Sequence, residues 1–258
     1  PNSFDDFIYK CQIVQGEALK HCIEHWRQNK FRTAGSLIWQ LNDCWPVCSW
    51  SLIDSELKPK AAYFYVRRAF IPILVTFFQK DDRIEIWVVN DTRTTLNVFL
   101  KLSGLSFTGE KIFSKNLDLM SRENSVLKAC HLNRQQFEMN SSARQFIKAE
   151  LYVQSKFISE NRFFFKRLKH LKMPPLTFQM QLERTNAKNY VLNLCSPHFA
   201  KAVRIETDFK TRIEDNFFDM DANCVRSVKL CLLESKKLTL DNLTIQSLCN
   251  TTENLEST

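Results

Sequence analysis

The chain has 258 residues, room for one large domain or two to three small ones, and its 44% hydrophobic content supports packed cores and excludes a disordered class. No apolar run approaches the ~20 residues of a membrane-spanning helix, and the opening PNSFDDF lacks the basic-then-apolar layout of a signal peptide. The net charge of +8 is spread along the whole chain, which favours solubility over a nucleic-acid or membrane surface.

Nine cysteines at scattered spacings leave at least one thiol outside any intrachain pair and point away from a small disulfide scaffold. A reducing, cytoplasmic setting is expected on that ground. Four Asn-x-Ser/Thr acceptors, at Asn90, Asn140, Asn242 and Asn250, keep a lysosomal or secreted setting as the alternative. The missing initiator methionine leads us to expect a fragment.

In chain order, Phe7, Cys11, Val14, Ala18, Cys22 and Trp26 recur at three- and four-residue steps, the pattern of a helix that buries one stripe. Ser3 is its predicted cap, Asp5 and Asp6 sit in its first turn, Arg27 and Lys30 lie near its end, and Gly16 is a tolerable interior cost of about 1 kcal/mol. Ser36 to Leu41 has little polar alternation, as expected of a buried parallel strand. A second helix is predicted from Pro59, with Tyr63, Val66 and Phe70 on one face, until Pro72 stops it. Helix, strand, long loop and helix together indicate an α/β barrel or doubly wound piece.

Beyond Pro72 the period changes from 3.6 to 2. Strands are predicted near Ile73–Phe78, Arg83–Val89, Thr95–Leu102, Phe146–Val153 and Asn161–Phe165, and after a break at Lys172–Pro175 near Thr177–Glu183, Asn189–Cys195, Ala202–Thr207, Ser227–Leu233 and Leu238–Ser247. This is the texture of two β-sandwiches in tandem. CNTTENLEST, at the end, is predicted to be a frayed tail.

Chemistry concentrates in GSLIWQLNDCWP, Gly35 to Pro46. If the strand belongs to an α/β barrel, Trp39, Gln40, Asn42, Asp43 and Trp45 fall at its C-terminal end, where such folds build their sites. Tryptophan there suits a sugar, whose C–H face stacks on indole while amides and carboxylates take the hydroxyls. From spacing alone, the favoured reading is that Trp39 and Trp45 are core aromatics and Asp43 caps a turn. Cys44 and Cys48 lack a second pair at metal-ligand spacing, so no metal is expected. The FFFKRLKHLK run from Phe163 to Lys172 mixes aromatic and basic residues as nucleic-acid surfaces do, but reads better as a strand leaving a sandwich into a solvated linker. Four unclustered glycines form no phosphate-cradling loop.

QGEALKHCIEHWRQNKFRTAGSLIWQLNDCWPVCSWSLID, followed by LKPKAAYFYVRRAF, resembles the last barrel segment of β-mannosidases of glycoside hydrolase family 2. SENRFFFKRLKHLKMP resembles the end of their first Ig-like accessory domain, and IEDNFFDMD a strand and turn of their C-terminal one. The resemblance implies mixed α/β and all-β architecture: the C-terminal remnant of a (β/α)8 barrel over 1–71, immunoglobulin-like sandwiches over 72–172 and 173–247, and a disordered tail over 248–258. It implies a retaining exo-β-mannosidase acting on a β-mannoside oligosaccharide or glycan, with Trp39 as the floor of the terminal-sugar subsite and Gln40, Asn42, Asp43 and Trp45 as further substrate-binding or loop-shaping residues. Family members use two glutamates about 5 Å apart, at the ends of strands 4 and 7. Neither strand is in this chain, so no catalytic residue is assigned to it and the chain alone is expected to be inactive. Only carboxylates and water are required, hence no cofactor. The alternatives are a β-galactosidase or exo-β-glucosaminidase of the same family, or a non-catalytic carbohydrate-binding or adhesion sandwich.

Overall fold

In a computed structural model, residues 1–138 and 142–250 are described. The first helix, α1 (Phe4–Gln28), begins where Ser3 Oγ accepts a hydrogen bond from the Asp6 backbone N–H, the predicted cap. It does not bury the predicted stripe. Phe7, Cys11, Val14, Ala18 and Trp26 face solvent, while Tyr9, Ile13, Gly16 and Ile23 are buried. The helix is apolar on two faces, and the one opposed to the chosen stripe is covered here.

The second helix, α2 (Ala61–Ala69), starts two residues later than expected, with Lys60 at its cap, and lies against α1. Contact is close at Gly16, where a Cβ would stand 2.5 Å from the Tyr65 ring. Glycine is therefore a packing requirement at that position, not a tolerated cost.

The expected strand at 36–41 does not form. A strand exists only as part of a ladder, and these residues find no ladder partner among the described residues. The chain runs irregularly until Leu41 accepts from the Leu52 and Ile53 amides and the Asp43 amide donates to Ile53 O, at 3.0 to 3.1 Å.

All later pairings are antiparallel. Strands β1 (Ile73–Lys80), β2 (Arg83–Asn90) and β5 (Ser125–Asn133) form one sheet in the order β1-β2-β5. Strands β3 (Leu96–Ser106), β4 (Lys111–Ser121), β6 (Gln145–Val153) and β7 (Lys156–Phe164) form the facing one, β4-β3-β6-β7. Val75, Ile86 and Val88 from the first sheet interleave with Val98, Leu100, Leu102, Ala149 and Leu151 from the second, which makes an Ig-like sandwich core. β4 and β5 were not anticipated. In β4 the apolar residues that turn inward are Phe113, Leu117 and Leu119, with Ser121 buried beyond them, and a bulge between Gly104 and Leu105 of its partner breaks the alternation.

A second pair of sheets follows, β11 (Thr211–Ile213), β13 (Arg226–Leu232), β9 (Asn189–Cys195) and β8 (Gln179–Arg184) against β12 (Phe218–Met220), β10 (Ala200–Thr207) and β14 (Leu243–Gln246). Its core holds Leu192, Leu194, Val203, Ile205, Val228 and Leu230. β11 and β12 were missed because three residues carry no readable period. Of the predicted tail, residues 248–250 form a 3-10 turn with Cys249 buried, and 251–258 lie outside the described residues.

The sandwiches meet through rings. Phe107, Phe146 and Phe164 of the first surround Phe199 of the second at centroid distances of 4.7 to 5.9 Å, and the Phe199 amide donates to Phe107 O. Helix α1 touches both. Tyr9 Oη donates to Ala202 O at 2.6 Å and Lys201 Nζ reaches Glu17 at 2.6 Å on one side; on the other, Asn161 Nδ2 donates to Glu24 Oε1 at 3.0 Å.

Candidate functional site

The segment 35–50 is a display of large apolar side chains on an irregular backbone. Trp39 is 76%, Trp45 67% and Trp50 70% exposed, and Leu37, Leu41 and Val47 project alongside. Trp39 and Trp45 are thus not core residues of this chain. Gln40, in the left-handed region at φ 68°, and Asn42, whose amide donates to Asp43 O at 3.2 Å, are exposed as well. Four of the five sequence-selected residues are exposed. The fifth is not.

Asp43 is 5% exposed and is the fixed point beneath the display. Ser49 Oγ donates to Oδ1 at 2.5 Å; Ser51 Oγ at 2.7 Å and Lys60 Nζ at 2.8 Å donate to Oδ2. Lys60 also donates to Ser51 Oγ at 2.7 Å. The Lys60 ammonium, then the two serine hydroxyls, hold the carboxyl down to about 2. It is an anion at any ordinary pH and both oxygens are occupied. Such a group anchors a loop; it is not suited to donate a proton. The bonds to Ser49, Ser51 and Lys60 tie the loop to the start of α2.

Sequence reasoning missed what the other two quoted segments do. In SENRFFF, Asn161 bonds Glu24 and Val75 O, Arg162 bonds Asp221 at 2.8 Å, and Phe164 joins the ring cluster. In IEDNFFDMD, Asp215 holds Arg67, Arg68 and Arg226, Phe217 stacks near Tyr9, Asp219 holds Lys201, and Asp221 holds Lys148 and Arg162. These are the joints of the helices with the sandwiches and of the two sandwiches with each other. Their density of alternating acid, amide and aromatic residues was the available signal. Among the described residues no group of His, Cys, Asp and Glu is placed to hold a metal ion, and all nine cysteines are free thiols. Asn90, one of the four acceptors, is fully buried and its amide donates to Thr94 O, Ser121 O and Arg122 O, so it is a structural residue. The Asn140 acceptor lies outside the described residues.

Residues 82–170 match the family model described as a mannosidase Ig/CBM-like domain, and residues 171–251 match one described as an Ig-fold domain. A β-mannosidase B of Thermothelomyces thermophilus is 34% identical across 48% of this chain. A β-D-mannosidase structure from Dictyoglomus thermophilum superposes on 96% of the chain with a TM-score of 0.85 and 32% identity. The Amycolatopsis orientalis exo-chitosanase superposes on 95% with a TM-score of 0.70 and 15% identity, a likeness of fold. The chain spans 17% of the length of the first of these relatives and 30% and 34% of the two solved chains.

Tandem Ig-like sandwiches carrying a helical N-terminal segment are the class that fold and comparisons define. More particularly, the chain corresponds to the C-terminal portion of the β-mannosidases of glycoside hydrolase family 2.

Proposed function

We propose that this chain is the C-terminal part of a retaining exo-β-mannosidase that removes terminal β-D-mannose from oligosaccharides or glycoconjugates. In this reading residues 1–71 are the last helix–strand–helix segment of a (β/α)8 barrel, 72–172 and 173–247 are sandwiches that buttress it, and 248–258 are a tail. The observation that carries the reading is the 0.85 superposition on a β-D-mannosidase at 32% identity, whose 96% coverage includes most of the helical segment.

A second observation supports it. Phe4, Phe7, Cys11 and Val14 on the uncovered face of α1, with Leu37, Trp39 and Leu41, leave more large apolar surface open than a self-contained domain ordinarily does. The remaining barrel would cover it, and in doing so would give residues 36–41 the ladder partners they lack here. Trp39 then stacks on the terminal sugar, Gln40, Asn42 and Trp45 shape the rim, and Asp43 acts by holding the loop rather than by touching substrate. Hydrolysis with retention needs an acid and a nucleophile about 5 Å apart. Asp43, already ionised and fully bonded, is neither, so the pair comes from elsewhere in the whole enzyme.

The test is a chimera in which this chain replaces the equivalent portion of the Dictyoglomus thermophilum enzyme, assayed on an aryl β-mannoside. The chain alone is expected to be inert and the folded chimera to turn over. Turnover by the chain alone, or a folded chimera without activity, would contradict the proposal.

A further inference from the structure

The solvent face of the sheet β4-β3-β6-β7 carries an aromatic row outside the core clusters. Register places Asp118, Phe99, Tyr152 and Phe157 side by side on four successive strands, from one edge of the sheet to the other. The ring centroids lie 6.1 Å apart for Phe99 and Tyr152 and 5.8 Å for Tyr152 and Phe157, with the planes turned by 56° and 73°, so the row is stepped and its rings offer faces and edges in turn. None of these side chains belongs to a core cluster. Phe157 is 46% exposed, and the other two rings are half-buried among their neighbours.

Polar groups flank the row on both sides. On one side Lys101 Nζ reaches Glu150 Oε2 at 3.1 Å, and Tyr152 Oη donates to Glu150 Oε1 at 3.3 Å. On the other an open groove is lined by Asn97, Met120, Gln154 and Ser155, with the last two forming the β6–β7 turn at φ 49° and 63°. Farther along the same face Lys148 and Arg162 are closed off by Asp221 of the second sandwich. The aromatic row, four residues up β6 from Lys148, meets that joint at Glu150, which accepts from both Lys148 and Tyr152 Oη, while Phe99 and Phe157 stand beyond it.

We infer that this row is a glycan-binding platform on the first sandwich, separate from Trp39, which takes a chain of β-linked pyranoses lying across the strands. A strip one ring wide, bordered by amides and by charges of both signs, suits an extended neutral polyol with apolar faces. A protein partner would require a broader apolar patch, and an ionic ligand a surface of one sign. Choosing mannan as the glycan rests on the β-mannosidase reading; the platform itself does not.

Calorimetric titration of the full chain with β-1,4-mannohexaose and, separately, β-1,4-cellohexaose tests the inference. Binding of at least one sugar is expected, weakened roughly tenfold or more in both Tyr152→Ala and Phe157→Ala and held within about threefold in Tyr152→Phe, with melting temperatures unchanged. Phe157, at the sheet edge, remains informative if Tyr152→Ala does not fold. No binding of either hexaose at millimolar concentration, binding indifferent to both alanine variants, or binding lost only in Trp39→Ala would overturn it. So would a dimer of the wild-type chain that Tyr152→Ala dissociates, since the row would then serve a second copy. No activity is read, so the outcome is distinct from that of the chimera.

Discussion

The Asp43 carboxylate accepts from three donors while almost wholly removed from solvent, and so links the exposed loop to the start of α2. Because its folded value, about 2, lies below the unfolded ~3.9, its contribution is fully present above about pH 4 and is lost as pH falls toward 2. Asp43→Asn should lower the melting temperature at pH 7 and flatten its decline between pH 4 and 2. An unchanged melting temperature at pH 7 would show that the anchor contributes nothing. The sequence marked Asp43 as special and left its task open between substrate contact and loop-shaping. A buried carboxylate announces itself through partners, and Ser49, Ser51 and Lys60 are six to seventeen positions away with no periodic relation to it. Trp39 was open between core and surface for a related reason: spacing records which side of an element a residue takes, not what lies opposite.

At the scale of elements, α1 shows how two apolar faces mislead. The three- and four-residue rule fits Phe7, Cys11, Val14 and Ala18 as well as it fits Tyr9, Ile13, Gly16 and Ile23, and only packing decides between them. Gly16 was the discriminating residue, since it marks where α2 comes closest. Gly16→Ala should destabilise by about 1–3 kcal/mol in urea unfolding through overpacking against Tyr65, although the same change in an exposed helix stabilises by ~0.4–1 kcal/mol. A gain in stability would refute the close approach. Strands with full-length alternation, such as β2 and β9, were legible to within a few residues. β11 and β12 were not, because fewer than two full periods survive in three residues, and β4 was not, because the polar and exposed Lys115 interrupts its inward positions. The apolar run at 36–41 was read as a strand because its composition suits one, and composition cannot supply a neighbour.

In the whole molecule the two sandwiches and α1 are held by a few dense joints. At the largest, Lys148 and Arg162 share Asp221, with Glu160 and Glu150 closing the network. Burial by itself would raise the Asp221 carboxyl, but the Arg162 and Lys148 charges outweigh it and hold the group below its ordinary value. Asp221→Ala, which removes the carboxylate that Lys148 and Arg162 share and leaves them Glu160 and Glu150, should cost about 1–3 kcal/mol, seen as a lower urea midpoint. A loss under ~1 kcal/mol would mean that solvent already screens the joint. Fusing the sandwiches rigidly to α1 places the Trp39 loop at a defined position relative to both, as expected if they brace one wall of a sugar site. The most direct test of that account is kcat/KM for an aryl β-mannoside in the chimera carrying Trp39→Ala, with Trp39→Phe beside it. Because Trp39 is exposed in this chain, its truncation leaves no cavity and the chain's melting temperature should not move. A fall of ~100-fold or more in kcat/KM, partly restored by phenylalanine, is the result expected of a sugar platform. Kinetics within about threefold of the parent chimera for both variants would contradict it.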